Sequence, residues 1–380
     1  MNEGLGLRIL GEIMAWDDDQ ARKEFSWLRL MARLKYDGYR DFQAGMRFIE
    51  SLATWLQQFG TAERPTAYDF VRRSLIYVGP GEMNRLVEQF FPSVVRERII
   101  SMVAKERSIP RYRVLADIEA SAAIDRLRRQ TLFMGLSDGA RIDGIRHNNV
   151  GVLNNEQFVL ATQLDKDKWQ DLIDKLRKEL KDPEAQFRLV CLIDDFVGTG
   201  TSFLRYNTEK GKWTGKLCKF KDSLDGAVKQ LAGKHVFAPD WQLCVHHYIG
   251  TSAGSQAMIA RAGEAVASFK SDGWTENINF SFGTVLPDDL PIDKVPGRYA
   301  DFIELTQRYY DPIIRTEHTD VGGETHLGLG YGKCALPLVL DHNTPNNSVA
   351  LLWAETEGGA RDGVNAPPMR PLFRRRQRHS

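Results

Sequence analysis

Four cysteines in 380 residues (Cys191, Cys218, Cys244 and Cys334) are too few and too scattered for a disulfide framework, and without a CxxC pair they form no zinc knuckle. The formal charge is only +1, so no overall field draws the chain to nucleic acid or to anionic lipid. No apolar run approaches the roughly 20 residues needed to span a bilayer, and the first residues do not read as a secretory leader. No internal repeat is visible. These absences leave a cytoplasmic protein without a membrane segment as the expectation. What is there is an ordinary balance, 42% apolar and 27% charged, which suffices for a sizeable core. The length exceeds that of a typical single domain.

Three textures follow one another along the chain. Residues 1–115 read as an all-helical module. "DDDQARKEFSWLRLMARL" opens on three acids that suit a helix N-terminus, and Phe42, Met46, Ile49, Ala53, Leu56 and Phe59 recur at helical spacing. Further helices are expected near 66–77, 81–91 and 93–107. The charge there is mixed, with no basic face of a helix-turn-helix reader, so the module suits packing or partner docking. From 116 to 356, strands and helices alternate: a strand at 131–136, a helix at 165–180, a strand at 187–194, helices from about 201 and near 222–232, and a strand at 241–250. Such alternation predicts a parallel sheet flanked by helices. From 277 the texture turns to β ("NINFSFGTVL", "ALPLVL", "SVALLW"). Residues 357–380 read as a disordered basic tail.

The most informative stretch is "VCLIDDFVGTGTS", residues 190–202. Leu189 to Ile193 fit a central strand buried on both faces, and ligands of parallel sheets sit just beyond such strand ends, where Asp194 and Asp195 fall. Gly198, Thr199, Gly200, Thr201 and Ser202 then form a loop whose backbone N–H groups and hydroxyls can hold an anion, with the expected helix N-terminus adding positive charge. Two carboxylates beside a phosphate would repel it. They make sense if one ligand presents both a phosphate and vicinal hydroxyls, as a ribose 5-phosphate does. The lysine of a Walker A loop is missing. The alternative is a buried strand ending in an Asp-rich turn.

This stretch resembles the PRPP-binding motif of type I phosphoribosyltransferases. "YDGYRDFQAGMRFIESLATWLQQF", "GPGEMNRLVEQFFP", "SDGARID", "RHNN", "LNNEQF" and "GYGKCALPLVLDHNTPNNSVALLW" extend the likeness over most of residues 35–355 to the phosphoribosyltransferase-like domain of bacterial conflict systems, which are anti-phage and in part retron-linked. The resemblance implies a type I phosphoribosyltransferase fold with a C-terminal hood over the base, PRPP or a ribose-5-phosphate nucleotide as ligand, and Mg2+ as cofactor. It implies Asp194 and Asp195 as the catalytic acids, Gly198 to Ser202 as the 5-phosphate loop, and Ser137, Asp138, Gly139 and Arg141 as the pyrophosphate loop, with Arg146 an alternative source of charge. Other defence components, such as a retron reverse transcriptase and its nucleic acid, are the implied partners. Read without the resemblance, Ser137 or Asp138 is equally a helix N-cap. Purine-salvage members often carry an acid where Gly198 stands, which puts hypoxanthine or guanine salvage in doubt. A nucleotide sensor that has lost catalysis is the competing expectation, and docking through the helical module is a third.

Other clusters read as structure. His246 and His247 are neighbours on a strand and face opposite ways, so they cannot chelate one ion. "EHTDVGGETH" lacks metal-ligand spacing, "HNTPNN" is a turn, and Trp353 belongs in a core. The tail arginines 374, 375, 376 and 378 are expected in solvent.

Overall fold

The computed structural model describes residues 3–40, 42, 47–231, 236–269, 274–361 and 364–375. The chain divides into two compact units, one formed by Met1–Met83 with Pro287–Ser380 and the other by Asn84–Leu286. The boundaries therefore lie at 83/84 and 286/287 rather than at 115/116 and 356/357.

The first unit opens with α1 (Glu3–Met14), α2 (Asp18–Leu34), α3 (Phe48–Gln57), α4 (Arg64–Arg73) and the short strand β1 (Ile76–Val78). Asp17 caps α2 by accepting from the Gln20 backbone N–H at 2.8 Å, as the run of acids predicts. The helix expected over 66–77 stops at Arg73, because Ile76 to Val78 pair in parallel with a strand from the far end of the chain.

The second unit begins within α5 (Pro80–Phe90) and continues through α6 (Arg96–Arg107), α7 (Ile118–Arg129), β2 (Thr131–Gly135), α8 (Ile142–Asn148), β3 (Phe158–Val159), α9 (Lys166–Leu180), β4 (Phe187–Val197), β5 (Arg205–Asn207), β6 (Lys212–Thr214), α10 (Lys216–Gln230), β7 (Phe237–Thr251), α11 (Ser252–Val266) and β8 (Ile278–Leu286). Five strands form one sheet in the order β3-β2-β4-β7-β8, and every pair in it is parallel. The apolar run Leu189 to Ile193 is fully buried in the central strand, its Leu, Val and Ile side chains contributing about 1.5–3 kcal/mol each. α9 presents Trp169, Leu172, Ile173 and Leu176 to the core shared by Val190, Leu192, Phe220 and Met258. On the opposite face Phe90 lies against Phe133 and His246. The predicted α/β fold, a parallel sheet with helices on both faces, is the one observed.

Two local expectations fail within this unit. No helix starts at 201. The chain turns into the antiparallel hairpin β5–β6, and a single helix, α10, spans the region where two were expected. The β texture from 277 belongs to β8, the edge strand of the sheet.

The chain returns to the first unit with α12 (Ala300–Arg308), α13 (Glu317–Asp320), β9 (Leu338–Leu340), β10 (Gly359–Arg361) and β11 (Val364–Ala366). β9 is the partner of β1, while "SVALLW" forms a 3-10 turn at Ala350–Leu352 and not a strand. The tail is ordered as far as it is described: β10 and β11 pair, and Leu372 and Phe373 are fully buried. Phe373 packs among Tyr36, Tyr39, Phe42, Phe48 and Tyr77, and the Tyr39 and Ser51 hydroxyls donate to the carbonyls of Arg374 and Leu372, each at 2.6 Å. Basic composition predicted disorder here because it outweighed the two apolar anchors. Arg376 and Arg378 lie outside the described residues.

Candidate active site

The strand order fixes where a ligand can sit. After β2 the chain passes to β3 on one side, and after β4 it passes to β7 on the other. Loops leaving β2 and β4 therefore diverge and open a crevice at the carboxyl ends of these two strands, the usual ligand position in open parallel sheets. β2 ends at Gly135, opposite Ile193, and β4 runs on beyond it. Asp194 and Asp195 are the first residues of β4 past that end.

The two acids have different surroundings. Asp194 is 4% exposed and shares the sheet face of α10. The Ser137 hydroxyl donates to its Oδ1, and the Lys216 ammonium pairs with its Oδ2. The Asp195 backbone N–H also donates to Oδ1 at 3.2 Å. Burial pushes the Asp194 carboxyl up to about 6, Lys216 and Ser137 pull it down, and the Asp195 charge adds to the rise. Asp195 is half-buried on the other face, where Gly139 lies against it. A Cβ on Gly139 would stand 3.0 Å from Asp195 Oδ1 and closer still to Oδ2.

The loop after β2 thus meets both acids. Ser137 Oγ also accepts from the Gly139 N–H at 3.2 Å, so the capping role and the contact with Asp194 coexist. The Tyr248 hydroxyl, buried on β7, donates to the Ala140 carbonyl at 2.9 Å and braces the loop from beneath. Asp138 is exposed. Arg141 takes φ +50° and donates to Asn84 Oδ1 at 3.4 Å, while Arg146 pairs with Asp143 at 3.0 Å.

The loop Gly198 to Ser202 is held from the side of α11. Thr251 Oγ1 donates to the Gly198 carbonyl at 2.6 Å and Arg261 Nη1 to the Thr199 carbonyl at 2.9 Å. In a trans peptide the next N–H points away from its carbonyl, so the N–H groups of Thr199 and Gly200 face away from α11. Gly200 takes φ +71°, where side chains are strained. Thr199 and Thr201 join hydroxyls at 2.9 Å. The helix N-terminus expected to follow directly is replaced by the hairpin, after which α10 comes back: the Lys216 N–H donates to the Ser202 carbonyl at 3.1 Å. Gly215 makes this return possible at φ +130°, since a Cβ there would collide with the Phe203 carbonyl.

Sequence reasoning missed Lys216, Tyr248, Thr251 and Arg261. Lys216 had one legible signal, a glycine followed by a cation at the start of an apolar-periodic stretch. Among the described residues no group of three His, Cys, Asp or Glu side chains is arranged to hold a metal ion. His246 and His247 fall on opposite sheet faces, in register with Ile193 and Asp194, and burial holds both imidazoles down to about 3. His326 packs at a tilt against Tyr310 with ring centroids 3.9 Å apart, Trp353 donates to the Ser348 carbonyl at 2.9 Å, and the "HNTPNN" turn lies in the first unit. No helix of the described residues is long and apolar enough to cross a membrane.

No curated protein and no solved structure matches the chain. A model of the PRTase-CE family matches residues 52–375, from α3 to the buried Phe373 and just past it. With that much of the chain covered, and with a parallel sheet whose paired acids and Gly/Thr loop stand at one crevice, the protein belongs to the PRTase-CE family, a phosphoribosyltransferase-like family.

Proposed function

We propose that this protein is a phosphoribosyltransferase-like effector of a bacterial anti-phage system that binds PRPP or a ribose-5-phosphate nucleotide with Mg2+ and transfers or removes a base at ribose C1. The observation that carries the reading is the position of Asp194 and Asp195 at the divergence of the β2 and β4 loops, with Gly139 on one side and the braced Gly198–Ser202 loop on the other.

In this reading the N–H groups of Thr199 and Gly200 and the hydroxyls of Thr199, Thr201 and Ser202 hold the 5-phosphate. Ser137, Asp138, Gly139 and Arg141 receive pyrophosphate. Of the acid pair, Asp195 faces the crevice; it orients the ribose and stabilises the positive charge that develops at C1 as the C1–oxygen bond breaks, its electron pair leaving with pyrophosphate, and a bond to the base nitrogen forms. Asp195 suits a Mg2+ that arrives on the ligand, since such ions keep several waters and take one or two protein carboxylates. That ion would neutralise the leaving pyrophosphate. Base removal would be the reverse step, in which a pyrophosphate oxygen bonds to C1 of a nucleotide as the C1–nitrogen bond breaks and the base leaves with that electron pair. Its partners would be other components of the defence system, a reverse transcriptase and its nucleic acid among them.

A second reading, a sensor that binds and does not turn over, draws support from Gly198, which offers no acid or base where purine-salvage members often carry an acid close to the base. One experiment separates the two: purified protein, Mg2+ and a panel of nucleotides and PRPP, with Asp195→Asn as control. Turnover lost in Asp195→Asn supports the enzyme, and binding without turnover supports the sensor. If neither PRPP nor any nucleotide binds, both readings fall.

A further inference from the structure

The two acids are treated alike when they are read as adjacent letters, yet the structure gives Asp194 other work. Both its oxygens are committed, one to Ser137 and one to Lys216, and the side chain is 5% exposed. Lys216 is the first residue of α10, a helix whose first turn carries no acid. A cation at that end opposes the helix dipole, so helix stability does not explain why a lysine stands there. Its backbone N–H is tied to Ser202, the last residue of the loop, and its side chain is 28% exposed. An ammonium has three donors, and one of them serves Asp194.

We infer that Lys216 is the cation of the Gly198–Ser202 phosphate site, supplied across the β5–β6 hairpin, and that Asp194 is the positioning residue that holds it there rather than a ribose contact. This rests on the reading of the loop as a 5-phosphate cradle. It supplies the positive charge whose absence from the loop itself set the sequence apart from a Walker motif, and it leaves Asp195 as the acid that meets the sugar.

The test is calorimetric titration of the full-length protein with ribose 5-phosphate, and separately with inorganic pyrophosphate, for wild type, Lys216→Met, Lys216→Arg, Asp194→Asn and the double variant Asp194→Asn/Lys216→Met. Lys216→Met should lower ribose 5-phosphate affinity at least tenfold and leave pyrophosphate affinity within twofold, and Lys216→Arg should restore part of the loss. Adding Asp194→Asn to Lys216→Met should cause no further loss, because a positioning residue has nothing left to position. The double variant also removes the unpaired buried carboxylate that could unfold the single one. If Asp194→Asn weakens ribose 5-phosphate binding by the same factor with or without Lys216, Asp194 touches the ligand itself and the inference is overturned. The inference alone fails if wild type and Lys216→Met bind ribose 5-phosphate equally. If wild type binds neither probe nor PRPP, the functional reading fails with it.

Discussion

Acid should weaken the sheet-bearing unit more steeply than its carboxylates alone would allow, because β7 carries two buried neutral histidines. His246 and His247 are each 1% exposed, and burial holds both imidazoles down to about 3. In the unfolded chain they titrate near ~6.5. Between those values the unfolded chain binds protons that the folded chain refuses, so stability present above pH ~6.5 is lost as pH falls, at about 1.4 kcal/mol per pH unit for each ring. Asp194 has the opposite sign. Its carboxyl is raised to about 6, so below that pH the folded state takes up a proton that the unfolded state, until about pH 4, does not. Going from pH 7 to pH 5, the two imidazoles cost about 4 kcal/mol and Asp194 returns about 1.4, a net loss of about 3. Against a margin of about 5–15 kcal/mol that is a large fraction. Hydrogen exchange of the β4 and β7 amides across pH 5–7.5, corrected for intrinsic rates, reads this unit separately. His247→Leu makes the test sharp. Nδ1 of His247 is buried without a partner among the described residues, so an apolar side chain of similar size should change stability at pH 7.5 by less than about 1 kcal/mol. The same variant should remove one proton from the acid slope. An unchanged slope would refute the argument.

Three further outcomes are expected. Gly139→Ala should leave stability within about 1.5 kcal/mol of wild type, because the Asp195 carboxylate it strikes can rotate away, while PRPP affinity measured by calorimetry falls. Gly200→Val forces a side chain into φ +71° with its Cβ 3.2 Å from Met258 Cβ, a strain of about 1–3 kcal/mol, so it should fold yet gain no thermal stability from PRPP with Mg2+. Phe373→Ala should cost the first unit about 3–5 kcal/mol, seen as a lowered melting temperature, whereas a dispensable tail would show no change.

What was legible in the sequence was whatever depended on local periodicity. Strand β4 was readable because five apolar residues in a row admit burial on both faces, and α9 because its apolar positions recur at helical spacing. The crevice could be placed because acids at the end of such a strand have few other positions open to them. Pairings across long stretches of chain were not readable: β1 with β9, Phe373 among the aromatic rings of α3 and its neighbours, and Lys216 with Asp194. Nothing local in "LFRRR" distinguishes a solvated basic tail from an anchored one, since the anchor depends on aromatic residues from Tyr36 to Tyr77, far earlier in the chain. The hairpin β5–β6 was missed for a related reason. Ser202 to Lys216 holds a mixture of charges and aromatics with no clear period, and a phosphate loop raises the expectation that a helix follows it at once.

The hairpin changes the chemistry available at the loop. A helix beginning at Thr201 would place its backbone N–H groups on the anion and send its side chains onward, away from the acids. Delaying the helix to Lys216 sends the chain out and back, so the residue that starts α10 returns beside Ser202 and over Asp194. Strand alternation completes the separation of roles. Consecutive residues of β4 face opposite sides of the sheet, so Asp194 turns toward α10 and Asp195 toward the loop carrying Gly139. One carboxylate is thereby withdrawn from solvent and paired with a lysine, and the other stays half-buried at the crevice. A pair of adjacent acids on a strand cannot serve one ligand symmetrically unless the strand twists sharply between them. Here Asp194 holds Ser137 and Lys216 while Asp195 lies against Gly139, which is why replacing the two should give unlike phenotypes even though they are neighbours in sequence.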